Sequence, residues 1–288
     1  MSTQQKIGLV VEAGGMKCAY NAALLDAFLD QGITFDYCIG VSAASGNLVS
    51  YLAGQRGRNL RFFTEYIHDP GYFGLSSLRK NGDLFGLQYI YGDLTRTGGK
   101  DPLDFPAFRD NPTEYEAVVT NALTGEPEYF GKEAMELDDY RLIMASSAIP
   151  VVCHPVELNG VPYFDGGLTD AIPVRRALEK GCDRLVVILS KNRDYVKKPQ
   201  GMRPLYRWVC RKYPDIVAAL DRRHTVYNAS FREVFALEQA GTAFVLAPSR
   251  PFHVSTYSRK EKEEWALYDM GLRDLAAQKE TLRSFLFA

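Results

Sequence analysis

Apolar and polar residues alternate along this chain in blocks that read as strands and helices by turns. Ile7-Gly8-Leu9-Val10-Val11 is a continuous apolar run of the buried, parallel-strand kind. It breaks at Glu12-Ala13-Gly14-Gly15-Met16-Lys17, after which Cys18, Ala22, Leu25 and Leu29 recur on one helical stripe. A second short run, Tyr37-Cys38-Ile39, passes through Gly40-Val41-Ser42-Ala43-Ala44 into helical spacing, with Leu48, Val49 and Leu52 on one face. Residues from about 54 to 111 are less regular and rich in aromatics, which suggests short helices laid over the sheet edge as walls of a substrate pocket. Ordinary core aromatics beneath long loops are the alternative there. Glu116 to Asn121 predicts a strand that turns through Thr124-Gly125-Glu126-Pro127 into Glu128-Tyr129-Phe130. A helix carrying Leu142, Ile143 and Ala145 is closed by Pro150. Asn159-Gly160 marks a hairpin between Val156–Leu158 and Val161–Phe164, and Asp165-Gly166-Gly167 follows its second strand. A helix from Val174 to Lys180, strands at Arg184–Leu189 and Ala243–Ala247, and a closing helix over about 260–283 complete the pattern. Leu267, Met270, Leu272 and Leu275 are expected to form the packing stripe of that last helix. The alternation predicts an α/β fold around a mainly parallel sheet.

Composition narrows the classes. A chain of 288 residues with net charge −1 and 46% hydrophobic residues is long enough for one large α/β domain and has no general attraction for nucleic acid. With no repeat and no linker in view, the whole of 1–288 reads as a single domain. Cys18, Cys38, Cys153, Cys182 and Cys210 are odd in number and never form Cys-x-x-Cys, which suits buried thiols in a reducing compartment and neither a disulfide frame nor a zinc site. The N-terminal apolar run is too short for a signal peptide and no segment reaches the length of a membrane span, so a cytoplasmic protein is expected.

Two places carry chemistry. A strand that turns directly into a helix around Gly-x-Ser-x-small fits a nucleophile elbow, with Gly40 and Ala44 letting strand and helix pass close together. Ser42 would then stand exposed on a strained turn, with the Ala43 N–H beside it at a helix N-terminus. Taken alone, the same residues fit a plain small-residue turn equally well. Asp165, at a strand end before two glycines, has bare backbone around it and a carboxylate free to approach another group, although Asp-Gly is also a common turn. A Ser-His-Asp triad fits poorly. Of His68, His154, His224 and His253 only the last two follow Asp165, and neither lies in a glycine-rich strand-end setting. A serine activated directly by a carboxylate remains. The Gly14-Gly15 loop could turn backbone N–H groups toward a ligand oxygen; the spacings of phosphate and dinucleotide loops are both absent.

These blocks, in this order over roughly residues 6 to 190, resemble the patatin-like phospholipases. Ala13-Gly14-Gly15-Met16-Lys17 is similar to that family's oxyanion loop, Gly40-Val41-Ser42-Ala43-Ala44 to its elbow, Ala145-Ser146-Ser147-Ala148-Ile149-Pro150 to the segment before its hairpin, and Asp165-Gly166-Gly167 to its Asp-Gly-Gly/Ala. Tyr213-Pro214 and Arg223-His224-Thr225-Val226-Tyr227-Asn228 resemble helices of a bacterial branch. The resemblance implies a three-layer α/β/α sandwich, with a core over 6–190, a helical insertion at about 54–111 and a helical extension over 191–288. It also implies a cofactor-free and metal-free lipid acyl hydrolase with Ser42 as nucleophile, Asp165 as base, and an oxyanion hole from Gly14, Gly15 and Met16. Ala13 and Ala44 depart from the pattern by replacing glycines. Neither removes a reacting group, and Ala13 is tolerable only with negative φ. A catalytically weak or silent acyl-lipid-binding regulator of the same fold is the alternative function. Between Lys191 and Arg223 ten Lys/Arg face three Asp/Glu, with Tyr206, Trp208 and Tyr213 interleaved. A helix there would suit transient contact with an anionic membrane surface, or else would simply be solvated.

Overall fold

The computed structural model describes residues 5–255 and 258–287. Among them, eight strands make one sheet: β1 (Ile7–Val11), β2 (Tyr37–Val41), β3 (Glu114–Asn121), β4 (Pro127–Gly131), β5 (Val156–Leu158), β6 (Val161–Asp165), β7 (Arg184–Ile188) and β8 (Ala243–Leu246). The order is β5-β6-β3-β2-β1-β7-β8, with β4 also paired to β3. Strands β3, β2, β1, β7 and β8 run parallel, and β4, β5 and β6 pair antiparallel. The β5–β6 turn is built on Asn159 at φ 51° and Gly160 at φ 81°, the two left-handed residues a tight hairpin needs.

Helices α1 (Ala19–Asp30) and α2 (Ala43–Leu52) follow the first two strands. The connection to β3 holds the short helices α3 (Arg58–Thr64), α4 (Leu75–Asn81) and α5 (Phe105–Asp110), with a π-helical turn at Gln88–Asp93. Helix α6 (Arg141–Ser147) precedes the hairpin, and α7 (Val174–Glu179), α8 (Arg203–Val209), α9 (Pro214–Gln239) and α10 (Glu261–Leu286) follow it. Each central strand buries both faces. Leu9, Val11, Cys38, Ala117, Val186 and Ile188 join the core under α1, α2, α6 and α10. Val10, Ile39, Val41, Val118, Leu185 and Val187 join the core under α7 and α9. Continuous apolar strand runs are what such a sandwich requires.

The last helix packs through Leu267, Met270, Leu275 and Leu282, whereas Leu272 is 36% exposed. The expected stripe was one residue wrong because Gly271, not Leu272, meets α1: a Cβ there would lie 2.8 Å from both the Ala23 Cβ and the Tyr20 carbonyl oxygen. Tyr20 and Tyr268 reinforce this contact by donating across it to Asp274 at 3.1 Å and Asp26 at 2.8 Å.

The feature that matters most for the site is the edge of β3. Strand β4 takes one edge along Glu116–Thr120. The other edge is shared: β2 lies beside Glu114–Val118, and β6, coming from the opposite direction, lies beside Val119–Asn121. Val41 therefore pairs with Val118 while Asp165 pairs with the next residue, Val119. The carboxyl ends of β2 and β6 meet head to head.

Candidate active site

Ser42 is the residue immediately past the end of β2 and has φ 59° and ψ −136°, a conformation unusual for a residue with a side chain. Its neighbours hold it there. The Ser42 N–H donates to Ser146 Oγ at 2.9 Å, and Ser146 passes the bond on to the Val118 carbonyl at 2.7 Å. The Ser42 carbonyl accepts from the Ser45 N–H at 2.9 Å and the Ser45 hydroxyl at 2.6 Å. Gly40 has no room for a side chain, because a Cβ would lie 2.8 Å from Leu48 and 2.9 Å from the Ala44 carbonyl oxygen and the Ser45 nitrogen. Ala44 is fully buried in the same core, and its methyl fits. The strain of the turn is thus sustained by fixed hydrogen bonds and close packing.

The head-to-head meeting of β2 and β6 brings the Ser42 hydroxyl to Asp165, to which it donates at 2.7 Å. The other Asp165 oxygen accepts the Gly167 N–H at 2.7 Å. The Asp165 carbonyl accepts from Thr120, and its N–H reaches the Ala148 carbonyl, both at 2.9 Å. Burial raises the Asp165 pKa above the usual aspartate value; the Ser42 hydroxyl, the Arg223 charge, the Gly167 N–H and Lys197 oppose that rise. A buried, oriented carboxylate with a raised pKa is suited to accept a proton.

The Gly-Gly loop faces this pair. The Glu12 and Ala13 N–H groups are taken by the Ile188 and Ala171 carbonyls, but those of Gly14 and Gly15 meet no acceptor among the described residues. Ala13 is not among the positive-φ residues, so its methyl is accommodated. Gly15 has φ 55° and begins a 3₁₀ turn, Gly15–Cys18, that contains Met16. Gly14 needs to be bare, since a Cβ would come within 2.6 Å of Ser190 Oγ. Ala43 opens α2, where the N–H has no partner within the helix. Gly15, Met16, Ser42 and Ala43 border one cavity together, and Gly14, Gly15, Ser42 and Asp165 border another.

Two clefts thus meet at Ser42. The first is narrow, with a cavity volume of about 40 Å³, and is walled by apolar side chains, among them Val49, Phe62, Phe63, Tyr72, Ile90 and Leu103. Helix α3, the π-helical turn and the loops between them, over residues 58–103, supply much of that wall, whereas α4 and α5 do not reach it. Arg58 and Arg61 clamp α3 to Asp101, at 3.4 Å and 2.6 Å, while Arg56 pairs with Asp30 away from the cleft. The second cleft, about 500 Å³, is more polar and is bordered by Glu12, Lys17, Lys191, Lys197 and Arg223. No histidine borders either cleft. His68 and His154 are at the surface, beside Glu261 and Asp83.

Sequence reading missed the roles of Ser146 and of the C-terminal cations. Ser146 lies in the block before the hairpin that was singled out, but nothing in its spacing shows that it holds the Ser42 amide. One helix of the basic stretch is expected to carry a basic face with an aromatic edge, and α8 with the turn after it brings Arg203, Arg207 and Arg211 together beside exposed Trp208. What the sequence does not foretell is that Lys191, Lys197 and Arg223 turn into the second cleft.

The chain is similar to several known proteins. The family model described as patatin-like phospholipase matches residues 9–178, and one described as a domain of unknown function (DUF6363) matches 213–287. "Uncharacterized protein YjjU" of Escherichia coli is 28% identical over 257 residues, covering 86% of this chain and 70% of that protein. "Uncharacterized NTE family protein Rv1063c" of Mycobacterium tuberculosis is 23% identical over 199 residues, covering 66% of this chain and 50% of that protein. Among solved structures, VipD from Legionella pneumophila superposes with a TM-score of 0.44 at 12% identity, over 96% of this chain and 67% of that one.

Proposed function

Because this chain belongs to the patatin-like phospholipase family, we propose that it is a serine acyl hydrolase whose Ser42–Asp165 dyad cleaves carboxylic esters of lipids. The observation that carries the reading is the 2.7 Å hydrogen bond from the Ser42 hydroxyl to Asp165, made where no histidine borders the site. Asp165 takes the hydroxyl proton as Ser42 Oγ attacks the ester carbonyl carbon. The oxyanion that forms is met by N–H groups of Gly14, Gly15 and Ala43, with Met16 completing the loop. Each such donor is worth on the order of ~3 kcal/mol to the transition state. Collapse of the intermediate expels the alcohol, which leaves with the proton from Asp165. Water then attacks the acyl-serine, giving its proton to Asp165, and the fatty acid departs as Ser42 regains its hydrogen.

The apolar cleft matches the chemistry of an acyl chain, which must widen it to enter, and the roomier polar cleft suits the alcohol. Exposed Met202, Leu205 and Trp208 lie at or beside the mouth of the polar cleft, which supports transient contact with a lipid surface as the route of entry. No helix among the described residues is long and apolar enough to cross a membrane. The five cysteines are free and buried, which supports a reducing, cytoplasmic setting. A fluorophosphonate probe tests the reading. Labelling should map to Ser42 and disappear in Ser42→Ala, along with hydrolysis of short acyl esters. Folded protein that neither labels nor turns over would support the silent lipid binder instead.

A further inference from the structure

The wall of the polar cleft carries more positive charge than ester hydrolysis needs. Four cations border it, Lys17, Lys191, Lys197 and Arg223, against two carboxylates, Glu12 and Asp165. Both carboxylates are already engaged. Glu12 accepts from Tyr227 at 2.8 Å, from Lys191 at 3.2 Å and from the Ser190 N–H at 2.6 Å. Asp165 serves Ser42 and Gly167. With every bordering group ionised the wall holds two positive charges in surplus; at pH 7 the standing surplus is smaller, because Lys197 is pushed down to about 7 and Lys17 feels the buried Glu264 as well.

The cations are positioned by the fold. Lys191 lies three residues past the end of β7. The backbone of Lys197 is held to Asn228 of α9 by two bonds of 2.9 Å, and its ammonium group lies over the Tyr227 ring at 5.0 Å. Arg223 donates through Nε to the Gly167 carbonyl at 2.8 Å, two residues from Asp165, and its Nη groups have no protein partner among the described residues. Burial and neighbouring cations push Lys197 down to about 7 and Lys17 down to about 8. Gathering like charges beside a cavity destabilises the fold unless an opposite charge joins them.

We propose that this cleft is a subsite for a compact dianion, a phosphate monoester on the alcohol side of the ester, so that acyl esters of glycerol phosphate are preferred over choline-headed or uncharged ones. The proposal rests on the hydrolase reading above. A phosphate monoester carries about −1.5 to −2 at pH 7, enough to take up the surplus and to hold the proton on Lys197, and a guanidinium with free Nη groups suits its oxygens. A quaternary ammonium would meet the surplus positive charge with no uncommitted carboxylate to receive it.

The test uses the full chain with three monomeric lysolipids: 1-oleoylglycerol 3-phosphate, its phosphocholine counterpart and 1-oleoylglycerol. The kcat/KM for the phosphate monoester should exceed both others by about tenfold or more, the scale of one charge-assisted hydrogen bond. Lys197→Gln should lower the ratio of phosphate to uncharged substrate by about tenfold; the ratio carries the test because Lys197 also acts on Asp165. In parallel, calorimetry on Ser42→Ala should show glycerol 3-phosphate binding that is lost when Lys197→Gln is added. Ester turnover without head-group preference and without glycerol phosphate binding overturns the subsite and leaves the hydrolase standing. Binding with no ester turnover overturns the hydrolase reading and keeps the anion site. Equal binding of inorganic phosphate with no lipid preference assigns the site to free phosphate and overturns the head-group role.

Discussion

Replacing Asp165 by Asn separates catalysis from folding at this site. Asp165 uses one oxygen for the Gly167 N–H and the other for the Ser42 hydroxyl, each at 2.7 Å. Asn keeps the shape, and its single oxygen can retain the Gly167 bond. The amide nitrogen then faces Ser42 as a donor, so the serine loses its proton acceptor. Loss of general-base assistance costs a factor of about 10² to 10⁴, or ~3 to 5 kcal/mol in the barrier. Stability should move the other way. The Asp165 pKa is raised in the folded protein, chiefly by burial, so the ionised form is disfavoured there relative to the unfolded chain. Above that raised pKa the charge opposes folding in full; the penalty shrinks as pH falls through it and vanishes below the ordinary aspartate value. Asp165→Asn removes the penalty altogether. The variant should therefore be nearly inactive on a chromogenic butyrate ester yet melt at the same temperature as the parent or higher at pH 8, with the difference shrinking as pH falls through the Asp165 pKa. Hydrolysis within tenfold of the parent would refute the dyad. So would an equal loss in His224→Gln or His253→Gln.

Other outcomes follow from the same geometry. Since Asp165 must be ionised to act, kcat/KM on an uncharged ester should fall as pH drops through its raised pKa, and Lys197→Gln, by removing a charge that holds that pKa down, should move the acid limb to higher pH. If the polar cleft takes a phosphate monoester, preference for that substrate over the uncharged one should grow above about pH 6 as the dianion forms. It should fade as Lys197 and Lys17 lose their protons near 7 and 8; measured against pH, the ratio should be bell-shaped, and a flat ratio would refute the charge pairing. Ser146→Ala strands the Ser42 N–H and the Val118 carbonyl, so urea denaturation should show a loss of about 1–3 kcal/mol together with lower kcat. Gly40→Ala should be worse than Ala44→Gly: the first drives a methyl to 2.9 Å from backbone atoms, whereas the second costs about 1 kcal/mol of helix propensity and should keep activity. Leu103→Trp should narrow the apolar cleft, sparing butyrate esters and impairing oleoyl ones, as paired kcat/KM values would report.

How much of this is legible in the primary structure depends on the range of the interaction. The strands Ile7–Val11 and Val161–Asp165 are bounded by local chemistry, an apolar run breaking at charge or at paired glycines, and a reader of the chain finds them. The elbow is local too: Gly40, Ser42 and Ala44 must be small or strained because a strand turns into a helix within five residues. Those features mark Ser42, Asp165 and the Gly14-Gly15 loop as candidates. They do not bring Ser42 and Asp165 together. That pairing is made by β3, which accepts β2 and β6 head to head on one edge, and the register of a sheet is set by contacts among segments far apart in the chain, here bringing together residues 123 positions apart. The closing helix shows the same limit on a smaller scale, since only the presence of Tyr20 and Ala23 of α1 selects Gly271 rather than Leu272 as the contact. The basic stretch shows it on a larger one. Ten cations between 191 and 223 are visible as a count, but charge has no direction along a chain. Which of them turn inward is decided by α9 packing under the sheet, where Arg223 reaches Gly167 and Asn228 holds Lys197, so the electrostatics of the polar cleft belong to the tertiary structure alone.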